Sequence, residues 1–316
     1  MENKHTNEDL KIMQNWDLER KIQVTQTRII EWYSRYNGQV YVSFSGGKDS
    51  TVLLDLARRI FPDIKAVFID TGLEFPELKQ FVKNTENVEI VKPKMNFKEV
   101  ILKYGYPVIT KNVAQCIYDY RKNPKGCRQK YFDSNSDYVK KYGERYSLEK
   151  WIWLRDSKIP ISHMCCNEMK KKPVKQFEKN TGLKPIVGTM TCESISRKTS
   201  WLKTGCNSFD SKRPMSQPMS FWTEQDILKY IKDFNIPYAS VYGDILQDKK
   251  GKYHTTLQDR TGCMFCMFGV HLQKEPNNFQ RMKITHPKIY EYCLKPIDEG
   301  GLGIKEVLEY INVKYE

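Results

Sequence analysis

The chain has 316 residues, of which 40% are hydrophobic, and it carries a formal net charge of +14. This length allows one large α/β domain or two smaller ones, and the positive charge favours polyanionic partners without indicating a fold. No apolar run reaches the length of about 18 residues that a transmembrane helix needs, so we expect no association with membranes. The polar first nine residues resemble neither a signal peptide nor a transit peptide, and a cytoplasmic protein is expected.

The hydrophobic pattern predicts helices and strands that alternate from the N-terminal part onward. It predicts a helix over residues 20–36, a strand at 40–44, a turn, and a helix that ends near residue 60. Further strands are predicted at 65–69 and 88–91. A helix begins between them at Pro76, a position where the missing N–H of proline costs nothing. Strands that alternate with helices indicate βαβ units and a parallel sheet.

The turn after the first predicted strand has the composition of an anion site. It reads Ser45-Gly46-Gly47-Lys48-Asp49-Ser50. Its glycines let the backbone approach a ligand, and the free N–H groups at the start of the next helix face phosphate. It is not a Walker loop, because the first glycine of that motif is missing. A glycine turn that only joins a strand to a helix is the alternative.

The second predicted strand ends in Asp70-Thr71-Gly72. Ligands of open parallel sheets bind at the carboxyl ends of the strands. We therefore expect this segment and the glycine turn to face one nucleotide crevice.

Residues 105–160 combine basic and aromatic side chains in a less regular pattern. The basic residues are Lys111, Arg121, Lys122, Lys125, Arg128, Lys130, Lys140, Lys141 and Arg145. The aromatic residues are Tyr118, Tyr120, Tyr131, Phe132, Tyr138, Tyr142, Tyr146, Trp151 and Trp153. Cations with stacking rings suit single-stranded or flipped nucleic acid, so residues 111–153 are a candidate DNA or RNA surface. The alternative, which the sequence slightly favours, is a helical subdomain with its aromatics in a core and its lysines in water.

The C-terminal half adds further elements. A strand ends at Gly188, a helix over 223–234 begins after Thr223 as its N-cap, and helices are expected at 286–296 and 303–311. The predicted domains are a nucleotide-binding domain over 1–270, with an insertion at 105–160, and a helical extension over 271–316.

Nine cysteines are present, and two pairs have a spacing that suits metal. Cys165 and Cys166 are adjacent, and Cys263 and Cys266 form a C-x-x-C. Four thiolates suit zinc or an iron–sulfur cluster. The alternative is a pair of small buried residues together with a redox C-x-x-C, and spacing alone leaves the choice open.

Six segments follow one another along the chain in an order typical of one family. They are SGGKDS at 45–50, DTGLEFPE at 70–77, CCNEMKKKP at 165–173, ESISR at 193–197, PMSFWTEQDI at 218–227 and TGCMFC at 261–266. Together they resemble the phosphoadenosine phosphosulfate (PAPS) reductase superfamily, in which the glycine turn is the PP-loop of the N-type ATP pyrophosphatases. The cysteine segments resemble its cluster-bearing branch. The resemblance runs from about residue 25 to about residue 270.

The resemblance implies a fold and a set of site residues. The fold is an adenine nucleotide alpha-hydrolase-like, Rossmann-like α/β sheet with helices on both faces, a helical insertion and a helical C-terminal cap. The implied nucleotide-binding residues are Ser43, Ser45, Gly46, Gly47, Lys48, Asp49, Ser50, Asp70, Thr71, Gly72, Glu74, Gly188, Glu193 and Arg197. The implied ligands of a 4Fe–4S cluster are Cys165, Cys166, Cys263 and Cys266.

Lys48, Asp49 and Cys192 are the candidates for catalysis. Lys48 would offset charge that develops between the α and β phosphates of ATP, and Asp49 or Asp70 could hold Mg²⁺. Cys192, beside the Glu193 segment, is a further candidate.

Two departures from the family separate its activities. Met190 replaces an arginine that the family often has before the Glu193 segment, and the E-C-G-x-H segment with the reductases' nucleophilic cysteine is not found. Both favour an ATP-dependent sulfurtransferase, similar to the Dnd-type enzymes of DNA phosphorothioation, that cleaves ATP to AMP and pyrophosphate to activate a nucleic-acid acceptor. A sulfur donor protein and a homo-oligomer are expected. A sulfonucleotide reductase, or a nucleotide-binding regulatory protein with a structural cluster, is the alternative.

Overall fold

The computed structural model describes residues 3–316, which divide into two compact units. The first unit comprises residues 3–70, 74–92 and 174–261, and the second comprises residues 71–73, 93–173 and 262–316. The predicted domain boundary at residue 270 stays a prediction. The second unit runs across it, because residues 93–173 and 262–316 pack as one body.

The helices and strands alternate along most of the described chain. The α-helices are α1 Asn7–Gln14, α2 Leu18–Arg35, α3 Lys48–Arg58, α4 Pro76–Lys83, α5 Phe97–Tyr104, α6 Lys111–Lys122, α7 Asp137–Tyr142, α8 Ile152–Arg155, α9 Lys172–Thr181, α10 Ile195–Thr204, α11 Glu224–Asp233, α12 Asn278–Thr285, α13 Pro287–Leu294 and α14 Ile304–Tyr310. The strands are β1 Val40–Ser43, β2 Ala66–Ile69, β3 Val88–Val91, β4 Val108–Ile109, β5 Lys184–Val187, β6 Asn207–Ser208, β7 Met215–Ser216, β8 Ile245–Gln247, β9 Tyr253–Thr255 and β10 Met267–Phe268.

The first unit contains a six-stranded sheet in the order β3-β2-β1-β5-β7-β6. All neighbours pair in parallel except β6, which runs antiparallel to β7 at the edge. The chain leaves β1 toward β2 and β3, and it later returns to place β5 on the other side of β1. The strand order therefore reverses at β1, and open sheets bind ligands at such a point.

Side chains of β1 and β2 alternate between two helical layers. Val42 and Phe68 point into the core that α2, α3 and α11 share. Tyr41 and Val67 point to the opposite face, where they pack with Phe177 of α9. Strands buried on both faces read as continuous apolar runs, which explains why the sequence pattern located them. The predicted α/β class, with a mostly parallel sheet between helices, is confirmed.

The second unit is mainly helical. Its two short strands, β4 and β10, pair in parallel with Met267 opposite Val108. Arg121 of α6 donates hydrogen bonds to the backbone carbonyls of Leu154, Arg155, Ser157 and Ile159, which closes the segment that follows α7. The predicted helical insertion and C-terminal helices are thus observed. No helix of the described residues has the length and apolar character needed to cross a membrane.

Candidate functional site

The PP-loop, residues Ser45–Ser50, joins β1 to α3 and is held by its own hydrogen bonds. The Ser50 hydroxyl accepts from the Ser45 N–H at 3.1 Å, and the Gly47 N–H points to the Ser45 hydroxyl at 3.3 Å. Gly46 has a φ of +72°, and a Cβ there would lie 2.8 Å from the Val82 side chain. Glycine is therefore required by both conformation and space.

Lys48 is the first residue of α3, and its side chain is buried. Its ammonium donates to the Asp259 carbonyl at 2.8 Å and pairs with Glu224 at 3.1 Å. Its backbone N–H, one of the orphan donors of the helix start, donates to the Tyr242 hydroxyl at 3.1 Å. The PP-loop thus combines a buried cation with the N-terminus of a helix, a combination that suits phosphate, and in this structure both the ammonium and the Lys48 N–H contact protein groups.

Asp49 adds a carboxylate to the same helix turn. Its Oδ1 atom is buried without a hydrogen-bond partner, and the Lys48 ammonium lies 3.8 Å away. Burial raises the pKa of Asp49 above the usual aspartate value, while Lys48, Arg260 and Arg197 act in the opposite direction. A buried carboxylate oxygen without a partner fits a hard cation such as Mg²⁺.

The neighbouring strands bring more predicted residues to this edge of the sheet. Ser43 ends β1, and Asp70 directly follows β2, where Lys79 pairs with it at 2.9 Å. Gly188 directly follows β5, and a Cβ there would lie 3.2 Å from the Asp49 carbonyl. The close approach explains why glycine suits this position.

Glu193 and Arg197 form an ion pair after β5. Arg260 lies 4.0 Å from Glu193 and is mostly exposed. Burial, and then the neighbouring Arg260, lower the pKa of Arg197. Two guanidinium groups that repel each other near the PP-loop suit an anionic ligand, which would relieve the repulsion.

Cys192 is exposed, with its thiol 3.6 Å from the Trp222 carbonyl. The largest effect on it is partial burial, which raises the pKa of its thiol, while Arg260 opposes that shift. Because the thiolate is the nucleophilic form, a raised pKa makes Cys192 a weaker nucleophile near neutral pH. Its catalytic role stays a prediction.

Sequence reasoning missed several residues that contact the PP-loop. Tyr242, Asp259 and Thr261 approach it from the segment after α11, and the Tyr242 hydroxyl also lies 2.7 Å from the Thr261 hydroxyl. Glu224 and Thr261 stood within recognised segments, and those were the available signals. Tyr242 and Asp259 lie 194 and 211 positions from Lys48 in sequence, and local patterns contain no information about such contacts.

The DTGLEFPE segment is divided between the units. Asp70 and Glu74 belong to the first, whereas Thr71 and Gly72 belong to the second. Thr71 is buried, and its hydroxyl accepts from the Leu73 N–H at 3.3 Å. Gly72 has a φ of +77°.

The four predicted cluster ligands all lie in the second unit. We call Cys165, Cys166, Cys263 and Cys266 the cysteine group. The first pair precedes a π-helical turn over Asn167–Lys171, a geometry often found at functional sites. The second pair closes a tight turn, with the Cys266 N–H donating to the Cys263 carbonyl at 3.1 Å just before β10.

Neighbouring thiols and lysines shift the pKa values of the cysteine group. The Cys165 and Cys166 sulfurs are 3.9 Å apart. The hydrogen bond from Cys165, assisted by Lys111, Lys170 and Lys171, lowers the pKa of Cys166 to about 6, and the same bond raises that of Cys165. Burial raises the pKa of Cys266 to about 11, with Cys263 and Cys166 adding to the shift.

Four thiolates are the donor set of a 4Fe–4S cluster, in which each thiolate binds a different iron. Among residues 3–316, no group of three or more His, Cys, Asp or Glu side chains is placed to hold a metal ion, so the cluster stays a prediction. Three lysines act on Cys166 and would offset the negative charge of four thiolates.

A comparison with known protein families matches the part of the chain that contains the PP-loop. Residues 39–116 match the phosphoadenosine phosphosulfate reductase domain. That stretch contains the PP-loop and Asp70, and it ends before the cysteine group.

Similar proteins extend over more of the chain. An uncharacterized protein of Methanocaldococcus jannaschii is 26% identical over 306 residues, which is 94% of this chain and 58% of that protein. The chain thus spans little more than half of that relative, and it spans 41% of another from the same organism. An adenosine 5'-phosphosulfate reductase of Staphylococcus epidermidis is 25% identical over 68% of this chain and 70% of its own length.

A solved structure, the phosphate complex of a PAPS reductase from Candida auris, has 15% identity and a TM-score of 0.40, and it covers 80% of this chain and all of that chain. The match of residues 39–116 and the reductase relatives link this chain to nucleotide-binding, sulfur-related proteins, whereas the Dnd-type branch and the cluster stay predictions.

Proposed function

We propose that this chain is an ATP pyrophosphatase-type sulfurtransferase that carries a 4Fe–4S cluster. It would cleave ATP to AMP and pyrophosphate in order to activate an acceptor, and a donor protein would then supply sulfur. The observation that carries the proposal is the PP-loop, where the buried cation Lys48 stands at the N-terminus of α3 beside Glu224 and Tyr242. A cytoplasmic location and a homo-oligomer remain predictions.

The residues of the first unit have distinct roles in this scheme. The N–H groups of the PP-loop would bind the leaving pyrophosphate. Lys48 would stabilise the charge that develops on the bridging oxygen as the bond from the α phosphorus to that oxygen breaks. An acceptor hydroxyl oxygen forms the new bond to the α phosphorus, and its proton leaves to solvent. Sulfide-level sulfur from the donor would then bond to the acceptor and displace AMP with that oxygen. Arg197 and Arg260 would hold the remaining phosphate oxygens.

Metal and cluster would complete the two sites. Asp49, through its unpartnered Oδ1 atom, would hold Mg²⁺ with the phosphates. The cysteine group would hold the 4Fe–4S cluster, which supplies a carrier for sulfur or electrons when bound.

A sulfonucleotide reductase is the second candidate, because proteins named adenosine 5'-phosphosulfate reductase align with most of this chain. Against it, Met190 occupies the position where the family often has arginine, and its side chain is 3% exposed within the core. The site therefore lacks a charge there for a sulfate group.

The products of the reaction distinguish the candidates. Protein purified without oxygen is incubated with Mg-ATP, with and without oligonucleotide, and AMP and pyrophosphate are measured. We expect Lys48→Ala to lower their formation by about 10²- to 10³-fold, whereas Lys229→Ala, an exposed control in the same unit, leaves it unchanged.

Other outcomes would replace the proposal. Sulfite release from a sulfonucleotide in the presence of thioredoxin would establish the reductase. Nucleotide binding with neither product would favour the regulatory protein, and a Lys48→Ala variant with full activity would exclude the assigned role of Lys48.

A further inference from the structure

Four tyrosine rings lie side by side in the insertion of the second unit. We call Tyr131, Tyr138, Tyr142 and Tyr146 the tyrosine patch. The Tyr138 ring centroid lies 4.8 Å from that of Tyr131, 4.7 Å from that of Tyr142 and 6.2 Å from that of Tyr146. These contacts form one continuous aromatic surface.

Helix geometry explains the arrangement. Tyr138 and Tyr142 are four residues apart on α7 and therefore share one face. The helix ends at Gly143, whose φ of +98° turns the chain. The 3₁₀ turn Glu144–Tyr146 follows and returns the Tyr146 ring to the same surface.

The patch is not the core of this segment. The buried positions are taken by Val139, Phe132 and Leu148, which are 2%, 5% and 6% exposed. Tyr142 and Tyr146 remain 50% and 38% exposed. Apolar packing therefore anchors α7 from one side, while Tyr142 and Tyr146 face solvent and Tyr131 and Tyr138 are half-buried beside them.

Three cations lie over rings of the patch. The Lys130 ammonium lies 4.4 Å from the Tyr138 ring centroid, the Lys141 ammonium 5.5 Å from that of Tyr142, and the Arg145 guanidinium 4.9 Å from that of Tyr146. Residues 111–153 contain ten basic and five acidic residues. The charge on this segment thus complements a polyanion.

We propose that the tyrosine patch binds single-stranded nucleic acid, with bases stacked on its rings and phosphates paired with Lys130, Lys141 and Arg145. Exposed rings beside cations are the combination that binds unpaired strands, because bases offer their faces only when unstacked. A duplex or an acidic peptide could pair with the cations, but neither offers unstacked bases to the tyrosine rings. The strand's role as acceptor rests on the proposed function, but its binding does not.

The test uses the full chain and fluorescein-labelled single strands of about 20 nucleotides, DNA and RNA, followed by anisotropy at several salt concentrations. We expect Tyr142→Ala with Tyr146→Ala to weaken binding about tenfold or more, and the matched pair Tyr142→Phe with Tyr146→Phe to retain it. Circular dichroism checks that each variant is folded.

Charge is tested separately. Replacing Lys130, Lys141 and Arg145 by Gln should lower the slope of log affinity against log salt by about two, since each phosphate contact contributes about 0.7 for a single strand. Replacing Lys283, Lys288 and Lys305, exposed lysines of the same unit, changes the net charge equally and should leave the slope unchanged.

Three results would overturn the inference: unchanged binding by the alanine pair, equal affinity for a duplex, or equal competition by poly-glutamate. The Lys48→Ala variant should bind the strand normally. A failure of strand binding can therefore be told from a failure of ATP cleavage.

Discussion

The PP-loop of the first unit and the cysteine group of the second differ in what stabilises them. Side chains and backbone of the loop satisfy one another, as when the Ser50 hydroxyl accepts from the Ser45 N–H. In the cysteine group, burial and then the Cys263 and Cys166 thiols raise the pKa of Cys266, whereas the hydrogen bond from Cys165 lowers that of Cys166. The PP-loop is therefore held in place by the chain itself. The cysteine group instead brings together thiols that would repel one another as thiolates, and a bound cation or cluster would stabilise them.

The largest expected effect concerns the cysteine group. Cys263→Ser should abolish the brown colour and an iron content of about four per chain, because the repelling thiolates then lack one bridge to iron. Iron analysis and visible absorbance measure it. Cys127→Ser, at an exposed cysteine outside the group, is the control. A colourless wild-type protein with one zinc would show that the group binds a single ion.

The conformation of the PP-loop is tested at Gly46. Gly46→Ala should lower the free energy of unfolding by about 1–3 kcal/mol and abolish nucleotide binding, because the φ is left-handed and the new methyl group meets Val82. Urea unfolding and nucleotide titration measure both.

Gly182 separates the two causes. Its φ of +74° is similar, but a Cβ there meets nothing within 4 Å. Gly182→Ala should therefore show the conformational cost alone and bind nucleotide normally. Equal losses in both variants would mean that crowding at Val82 has no effect.

A smaller effect is expected at Tyr242, whose hydroxyl accepts the Lys48 N–H that phosphate would need. Tyr242→Phe removes this competitor and should tighten nucleotide binding about 3- to 10-fold. Calorimetric titration measures the change, with Tyr238→Phe as the matched control. Weaker binding would mean that the hydroxyl contacts the nucleotide instead.

The smallest effect concerns Cys192. Burial raises the pKa of its thiol, so at pH 7 less thiolate is present than in the unfolded chain. Its alkylation by iodoacetamide should be several-fold slower in the folded protein and should rise with pH beyond the usual cysteine value of about 8.5. Peptide mass spectrometry measures the rate. ATP should slow it further if Cys192 lines the crevice, and fast labelling at pH 7 would contradict the pKa shift.

The sequence by itself determined the α/β class, the strands and the PP-loop. Apolar runs such as Val40–Ser43, the glycines at 46 and 47, and the Thr223 cap act over a few residues, so their physical causes are visible locally. It also identified the four cysteines, because their spacing and neighbours form recognisable segments.

Only the tertiary structure decided which distant groups meet. Tyr242 and Asp259 reach Lys48 across about 200 positions, and residues 93–173 join residues 262–316 in one unit. It likewise separated the exposed rings of Tyr142 and Tyr146 from the buried Phe132, although all are aromatic in sequence. Burial and long-range contacts depend on how the whole chain packs, and no local pattern records them.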